Sequence, residues 1–262
     1  MLKQRRHGGA GPPRLRVRLA LAVIAVLAVA GAAYCRYLGY PDGQLFTVLP
    51  AQSPRQDGTV AVFFSGDMGF NTGMGPVIAG HVARQGVPVI GINSLTAFAR
   101  RRSLQESAAL VEQAARRALS LPGARRLVLA GQSFGANILL AGLERLPPRL
   151  RSRVAMVALI VPADTMLFRA TPGGVFDFGD DGPATPVARA LDWAPVLCIH
   201  GIEESGSLCP GWRQSNVRVI GLPGGHFLDD DSQRVAETLL RALPAAPPNI
   251  AKSSGCAEPP AI

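Results

Sequence analysis

Short apolar segments alternate with longer amphipathic segments along most of this 262-residue chain. The apolar segments are mostly β-branched or fully apolar, which is typical of strands covered on both faces. Because strands that alternate with helices form right-handed βαβ units, the sequence predicts an α/β fold with a mainly parallel central sheet flanked by helices. The predicted strands are 44–49, 59–64, 87–92, 126–130, 154–161, 195–200 and 217–221, and the predicted helices are 74–85, 104–121, 134–146 and 231–243.

The basic charge of the chain is concentrated at its N-terminus. The first 36 residues hold seven of the 27 Lys and Arg residues and no acidic residue. The rest of the chain carries 20 basic and 18 acidic residues, so most of the net positive charge behind the pI of about 10.4 comes from the N-terminal segment. The body has no basic stripe with interleaved aromatic residues, and we expect no nucleic-acid partner.

An apolar run from 17 to 33, broken only by Arg18, is close to the length that crosses a bilayer. Basic residues before the run and tyrosines after it predict a cytoplasmic segment over 1–16, a membrane or signal helix over 17–36 and an exported body. The favoured interpretation is an uncleaved anchor in the inner membrane. A signal peptide cleaved near Ala30-Gly31-Ala32 and a buried core helix are the alternatives. The Pro-rich segment 246–262 is predicted to be disordered.

The four cysteines favour a disulfide over a metal site. Cys198 and Cys209 lie 11 positions apart around a turn-like segment, and in an exported protein they could form a disulfide. The alternative is a buried thiol at Cys198 and an unrelated loop thiol at Cys209. The four histidines are scattered and no Cys/His spacing suggests zinc, so we expect neither a metal nor another cofactor.

The sequence Gly131-Gln132-Ser133-Phe134-Gly135 carries the most chemical information in the chain. It is a G-x-S-x-G motif between a predicted strand and a predicted helix, the context of a nucleophile elbow in an α/β-hydrolase fold. The two glycines are required because strand and helix pack closely at such a turn. Ser133 is therefore the predicted nucleophile, and the following helix N-terminus favours an anion beside it.

A nucleophilic serine needs a base, and the elbow family orders its triad as Ser, acid, His along the chain. His226, in a Gly-rich loop between the last predicted strand and helix, is the expected base, with His200 as a rival. The acid is expected after the penultimate strand, where Glu204 is favoured over Glu203, with Asp164 as an outside candidate.

An oxyanion hole needs two backbone amides aimed at the developing charge. One is predicted at Phe134, the residue after the nucleophile, and the other at Asp67 or Met68. We expect the Asp67 side chain to point outward, either to cap the following helix or to meet a cationic substrate. The Gly/Pro/Asp-rich segment 171–186 is predicted to be an irregular loop, either a wall of the substrate site or a plain surface excursion.

Five segments together resemble one family, the bacterial virulence protein VirJ and the related C-terminal domain of AcvB. They are FFSGD-G (63–69), GVPVIGINSL (86–95), GQSFGANIL (131–139), RLPP-R (145–149) and LCIHG--E-----C (197–209). The resemblance implies an α/β-hydrolase domain over 42–245, a periplasmic location and hydrolysis of aminoacylated phosphatidylglycerol, notably the lysyl form. It also implies an association with type IV secretion, and hence a protein partner. Ser133, His226 and Glu204 match the triad positions of this family.

The chain departs from the family pattern at five positions. It has Met68 and Phe70 where the family has Gly and Trp, Gln132 where an aromatic residue is usual, and Asn93 and Asn137 where Asp is common. With fewer carboxylates expected around the pocket, the substrate is either a lysyl lipid, another aminoacyl lipid or a different ester. The alternatives to this function are a general carboxylesterase and a non-catalytic adaptor or chaperone linked to secretion.

Overall fold

The computed structural model describes residues 13–245, which form a seven-stranded sheet with helices on both faces. The strands are β1 (Phe46–Leu49), β2 (Thr59–Phe64), β3 (Val89–Ile92), β4 (Arg126–Gln132), β5 (Val154–Ile160), β6 (Val196–Gly201) and β7 (Val217–Leu222). The helices are α1 (Pro13–Leu38), α2 (Met74–Arg84), α3 (Ser94–Ala97), α4 (Leu104–Leu119), α5 (Phe134–Leu143), α6 (Pro148–Arg151), α7 (Thr185–Arg189) and α8 (Ser232–Ala242). The strand order is β1-β3-β2-β4-β5-β6-β7, and all neighbours are parallel except β1, which runs antiparallel to β3.

The seven predicted strands and four predicted helices are all present, and the mainly parallel α/β architecture is confirmed. A capping box begins α4, because Ser103 accepts from the amide of Glu106 while the Glu106 carboxylate accepts from the amide of Ser103. The helix ends at Leu119, and Gly123 (φ 74°) makes the turn before β4.

The sheet separates two apolar cores. Along β2 the side chains of Val60, Val62 and Phe64 pack on the face that carries α4 and α5, whereas Ala61 and Phe63 pack on the face that carries α2 and α8. Successive strand residues point to opposite faces, so a strand covered on both sides must be apolar throughout. This is the physical reason for the uninterrupted apolar runs in the sequence.

Helix α1 projects from this domain. The stretch Leu15–Leu38 has a mean hydropathy of 2.2 over its most apolar 18-residue window, none of which is buried, so its length and composition suit a membrane span. The alternative of a buried core helix is therefore wrong. The anchor and the cleaved signal peptide both stay predictions. Residues 1–12, which include most of the predicted basic segment, and the predicted disordered tail at 246–262 lie outside the described residues.

A disulfide joins Cys198 to Cys209, with an S–S distance of 2.08 Å. Cys198 lies in β6 and Cys209 begins a short 3₁₀ turn, Cys209–Gly211, and both are fully buried. The bond therefore closes the loop that follows β6 against the middle of the same strand.

Candidate active site

Ser133 lies at the sharp turn between β4 and α5, with φ 54° and ψ −126°. A non-glycine residue in this region of backbone space costs about 1–3 kcal/mol, so the surrounding structure must hold it there. Gly131 and Gly135 allow the turn, as the motif predicts. A Cβ at Gly131 would lie 2.6 Å from the carbonyl oxygen of Gly135, and one at Gly135 would collide with the carbonyl oxygen of Ser65.

The structure brings Ser133, His226 and Glu204 into one chain of hydrogen bonds. Ser133 Oγ lies 2.8 Å from Nε2 of His226, and Nδ1 of the same imidazole lies 2.5 Å from Oε1 of Glu204. The Glu204 side chain is only 6% exposed, whereas that of His226 is 38% exposed. The carboxylate is therefore shielded from water while the imidazole faces the opening.

The loops that carry Glu204 and His226 pack backbone against backbone. A Cβ at Gly201 would collide with the carbonyl oxygens of Gly224 and Gly225, so only glycine allows this approach. The amide of Glu203 donates to the carbonyl of Gly224 at 3.1 Å, which fixes the turn after β6 with the neighbouring Glu204 side chain facing inward. This contact is the reason that two adjacent glutamates have different surroundings.

The other candidates for the triad lie elsewhere. Glu203 and Asp164 are both exposed to solvent, and the hydrogen bond from Nδ1 of His226 goes to Glu204. His200 lies at the end of β6, where its Nδ1 is 2.9 Å from the carbonyl oxygen of the adjacent Gly201.

The residues predicted to supply the oxyanion amides lie next to Ser133. Phe134 is the first residue of α5, so its amide is one of the first-turn N–H groups that have no partner within the helix. Asp67 and Met68 line the same cavity as Ser133, and the loop that carries them lies against Ser133, since a Cβ at Gly66 would be in van der Waals contact, 3.6 Å from that of Ser133.

Ser133 opens into a cavity of about 860 Å³. Three acidic residues line it, Asp67, Asp230 and Asp231, and no Lys or Arg occurs among the described lining residues. The cavity is thus suited to a cationic group rather than an anionic one. Its lining also includes Met74, Val77, His81, Gly173 and Phe227.

His81 was not identified from the sequence as a pocket residue, because it lies within a helix whose apolar residues predict only packing against the sheet. The spacing of Met74, Val77 and His81 on α2 places all three on one helical face, and all three line the cavity. This spacing can be read from the sequence and could have identified His81 as a pocket residue. Gly173, in the segment 171–186, also lines the cavity, so this loop forms part of its wall.

Asp67 does not have the expected capping role, and its expected contact with a cationic substrate stays a prediction. It lines the cavity, and one of its carboxylate oxygens lies 3.2 Å from the position that a Cβ of Gly174 would take. It does not cap α2, whose N-cap is Gly73. Burial raises the pKa of Asp67, the nearby Asp177 carboxylate raises it further, and His226 opposes both effects.

Three of the positions that depart from the family pattern lie away from the cavity. The Asn137 side chain donates to the carbonyls of Ala163 and Thr165 and accepts from the amide of Ala163, so it holds the segment after β5. The Asn93 side chain donates to the carbonyl of Leu38 at the end of α1. The Phe70 ring covers Gly91 of β3. The expectation that carboxylates are lost from the pocket at positions 93 and 137 is therefore wrong. Both side chains bind backbone groups outside the cavity, at the end of α1 and in the segment after β5.

The geometry holds no metal centre among residues 13–245, where no three His, Cys, Asp or Glu side chains are grouped to hold an ion.

A family model described as bacterial virulence protein (VirJ) matches residues 58–246. The chain belongs to the VirJ family. The match covers every strand except β1 and every residue of the Ser133, His226 and Glu204 chain. Among curated proteins, none matches the sequence.

Solved structures place this VirJ-family chain in the α/β-hydrolase fold. Est1E from Butyrivibrio proteoclasticus is 14% identical with a TM-score of 0.52, and the match covers 75% of this chain and 93% of Est1E. The α/β hydrolase GrgF from Penicillium sp. sh18 is 13% identical with a TM-score of 0.53, over 74% of this chain and 91% of GrgF. The lipase BlEst2 from Bacillus licheniformis is 13% identical with a TM-score of 0.50, and the match covers 74% of this chain and 97% of BlEst2. At these identities the likeness establishes the fold.

Proposed function

We propose that this VirJ-family chain is a serine hydrolase that cleaves carboxylic esters. The observation that carries the proposal is the hydrogen-bonded chain from Ser133 through His226 to Glu204, which ends in an open cavity. A hydroxyl on a strained turn, an imidazole within hydrogen-bond distance and a buried carboxylate behind it are the parts that nucleophilic acyl transfer requires.

In the proposed reaction, Ser133 Oγ attacks the ester carbonyl while Nε2 of His226 accepts its proton. The Nδ1–H of His226 donates to Glu204, which holds the tautomer and stabilises the imidazolium. Collapse of the tetrahedral intermediate breaks the C–O bond of the ester, and the imidazolium returns the proton to the leaving alcohol. Water then attacks the acyl-enzyme by the same route and frees Ser133.

The amide of Phe134 and an amide of Asp67 or Met68 are assigned to the oxyanion. Both segments border Ser133, and the N-terminus of α5 adds a positive partial charge there. The Asp67 carboxylate beside this position would oppose a developing negative charge. Its raised pKa, or pairing with a cationic group of the substrate, reduces that conflict.

We propose aminoacylated phosphatidylglycerol as the substrate, with hydrolysis on the periplasmic side of the inner membrane. The VirJ family membership supports it, as does helix α1, whose length and composition suit an anchor. The acidic lining supports it too, because an aminoacyl ester carries an ammonium group close to the scissile carbonyl, where Asp67 lies. A lysyl group is the first candidate, and an alanyl group would meet the same carboxylate through its α-ammonium alone.

The test is the Ser133→Ala variant of the full chain, assayed on lysyl- and alanyl-phosphatidylglycerol in vesicles. Its activity should fall by about 10⁴-fold or more, because the remaining groups cannot replace the nucleophile. Ser152→Ala is a matched control, since that hydroxyl is exposed and bonds only to the nearby carbonyl of Arg149. A fluorophosphonate should label the wild type and not Ser133→Ala. Normal hydrolysis by Ser133→Ala would overturn the proposal, and absence of both labelling and hydrolysis in the wild type would favour a non-catalytic adaptor.

A further inference from the structure

Helix α1 meets the domain without a flexible linker, at the edge of the sheet that carries Ser133. Its last residue, Leu38, is fully buried, and the Leu38 carbonyl accepts from the side chain of Asn93 at 2.9 Å. The Tyr37 hydroxyl donates to the carbonyl of Asn71 at 3.0 Å. Asn93 follows the carboxyl end of β3 and Asn71 belongs to the loop after β2, so both contacts lie at the carboxyl edge of the parallel strands.

The most exposed apolar side chains of the domain lie at this same edge. Among the described residues after α1, five large apolar side chains are at least 65% exposed, and all lie in loops that border the candidate active site. They are Val175, Phe176, Phe178, Ile202 and Phe227, here called the apolar rim. Single exposed apolar residues are ordinary, but their concentration around one opening marks an interaction surface.

The loop that carries three rim residues is held open by its own hydrogen bonds. The Thr171 hydroxyl accepts from the amide of Phe176 at 3.1 Å, and the Asp177 carboxylate accepts from the amide of Thr171 at 3.1 Å. The amide of Gly174 donates to the Thr171 carbonyl at 2.9 Å. These bonds order the backbone from Thr171 to Asp177, so Val175 and Phe176 are exposed on a hydrogen-bonded turn, and Phe178 follows directly after it.

We infer that the apolar rim sits in the outer surface of the same bilayer that α1 spans. A membrane span that ends in tyrosines has its last turn at the level of the lipid headgroups. At this same turn, α1 is bonded to the carboxyl edge of the sheet, where Ser133 lies. The rim lies on that edge, so its apolar side chains face lipid and the cavity mouth opens onto the bilayer surface. The inference deepens the proposed function and rests on its lipid ester, which would enter from the membrane without crossing water.

The first test measures membrane depth in the full chain, reconstituted in nanodiscs. Phe178→Trp adds a fluorophore to the rim, and Val48→Trp adds a matched one on β1, where Val48 is 45% exposed and belongs to neither rim nor cavity. Phosphatidylcholine brominated in its acyl chains should quench the added emission of Phe178→Trp, relative to unbrominated nanodiscs. The added emission of Val48→Trp should be unchanged. An unquenched Phe178→Trp would assign the rim to solvent or to a protein partner and overturn the inference.

The second test separates membrane docking from catalysis. The double variant Phe176→Ser with Phe178→Ser should hydrolyse a lipid ester in nanodiscs at least ~10-fold more slowly, because interfacial binding scales with the apolar area inserted. Its turnover of a water-soluble short-chain ester should match the wild type, since neither residue lines the cavity. Val48→Ser should change neither rate. An equal fall on both esters, or no fall on the lipid ester, would overturn the inference.

The two proposals fail in different ways. A wild-type chain that hydrolyses no ester refutes the serine hydrolase, and the quenching of Phe178→Trp still decides where the rim lies. A chain that cleaves the soluble ester, with an unquenched Phe178→Trp, refutes the docking and leaves the serine hydrolase in place.

Discussion

The Cys198–Cys209 disulfide closes an 11-residue separation that contains Glu204, so its removal should affect both folding and the site. The perturbation is the double variant Cys198→Ala with Cys209→Ala. In the loop-closure account, a cross-link over 11 residues removes unfolded-state entropy that corresponds to about 2.8 kcal/mol at 25 °C. Both cysteines are fully buried, so the two truncations add a packing loss to this value.

For a domain of this size, that loss should lower the melting temperature by about 6–11 °C. The assay is thermal unfolding of the full chain in detergent micelles, followed by the fluorescence of Trp193 and Trp212. Trp212 lies three residues after Cys209 and is almost buried, so it reports on this region. The reduced wild type isolates loop closure from packing, because it keeps both sulfur atoms. Cys35→Ser removes the free cysteine found among residues 13–245, which lies outside the loop, and should melt like the wild type.

The same variant should lower kcat more than it raises KM, because Glu204 acts through His226 and does not line the cavity. A melting temperature within about 1 °C of the oxidised wild type, in both the reduced protein and the double variant, would refute the loop-closure reasoning. A large thermal shift with an unchanged kcat would show that the packing of Gly201 on the next loop positions Glu204 without help from the disulfide.

Three further changes test the site. Glu204→Gln should lower kcat by about 10³–10⁴-fold while Glu203→Gln stays within about twofold in the same steady-state assay, and similar losses for both would contradict the assigned acid. Gly135→Ala should lower the unfolding free energy by about 1–3 kcal/mol and reduce activity, because its Cβ meets the carbonyl of Ser65, and melting and rates at a wild-type level would refute this steric account. Burial raises the pKa of Asp67, so the folded wild type loses stability as pH rises through that pKa. The variant Asp67→Asn cannot ionise at this position and should therefore melt at a higher temperature than the wild type at neutral pH. This difference in melting temperature should vanish below pH 3.8, the ordinary pKa of the group. The KM for a cationic ester should rise in Asp67→Asn, and a pH-independent difference in melting would contradict the assignment.

The features that local sterics dictate could be predicted from the sequence. The fully apolar strands follow from cover on both faces, and the elbow at Ser133 follows from the two glycines that flank it. The capping box of α4 could be predicted in the same way, because it depends on two residues that are three positions apart. In each case the residues that decide the structure are neighbours in the chain.

The features that depend on distant segments could not be predicted in this way. Glu203 and Glu204 are adjacent and chemically identical, and which one faces inward is decided by the contact of Gly201 with the loop after β7. The helix-capping role expected for Asp67 is wrong, because its carboxylate lies instead against Gly174, more than 100 positions away. Long-range packing of this kind leaves no periodic signal along the sequence.

Asn93 connects helix α1 to the cavity loop, and its amide is what makes that connection possible. Its nitrogen donates to the Leu38 carbonyl at the end of α1, while its oxygen accepts from the amide of Thr96. An ionised Asp is an acceptor only, so it could keep the bond from Thr96 but would face the Leu38 carbonyl without a proton to offer. Gly69 of the cavity loop lies against the same two groups, since a Cβ there would be 2.6 Å from the Leu38 carbonyl oxygen and 3.0 Å from the Asn93 oxygen. The end of α1 and the loop that carries Asp67 therefore share one buried contact, and the choice of Asn over Asp at this position follows from the attachment of the helix rather than from the substrate.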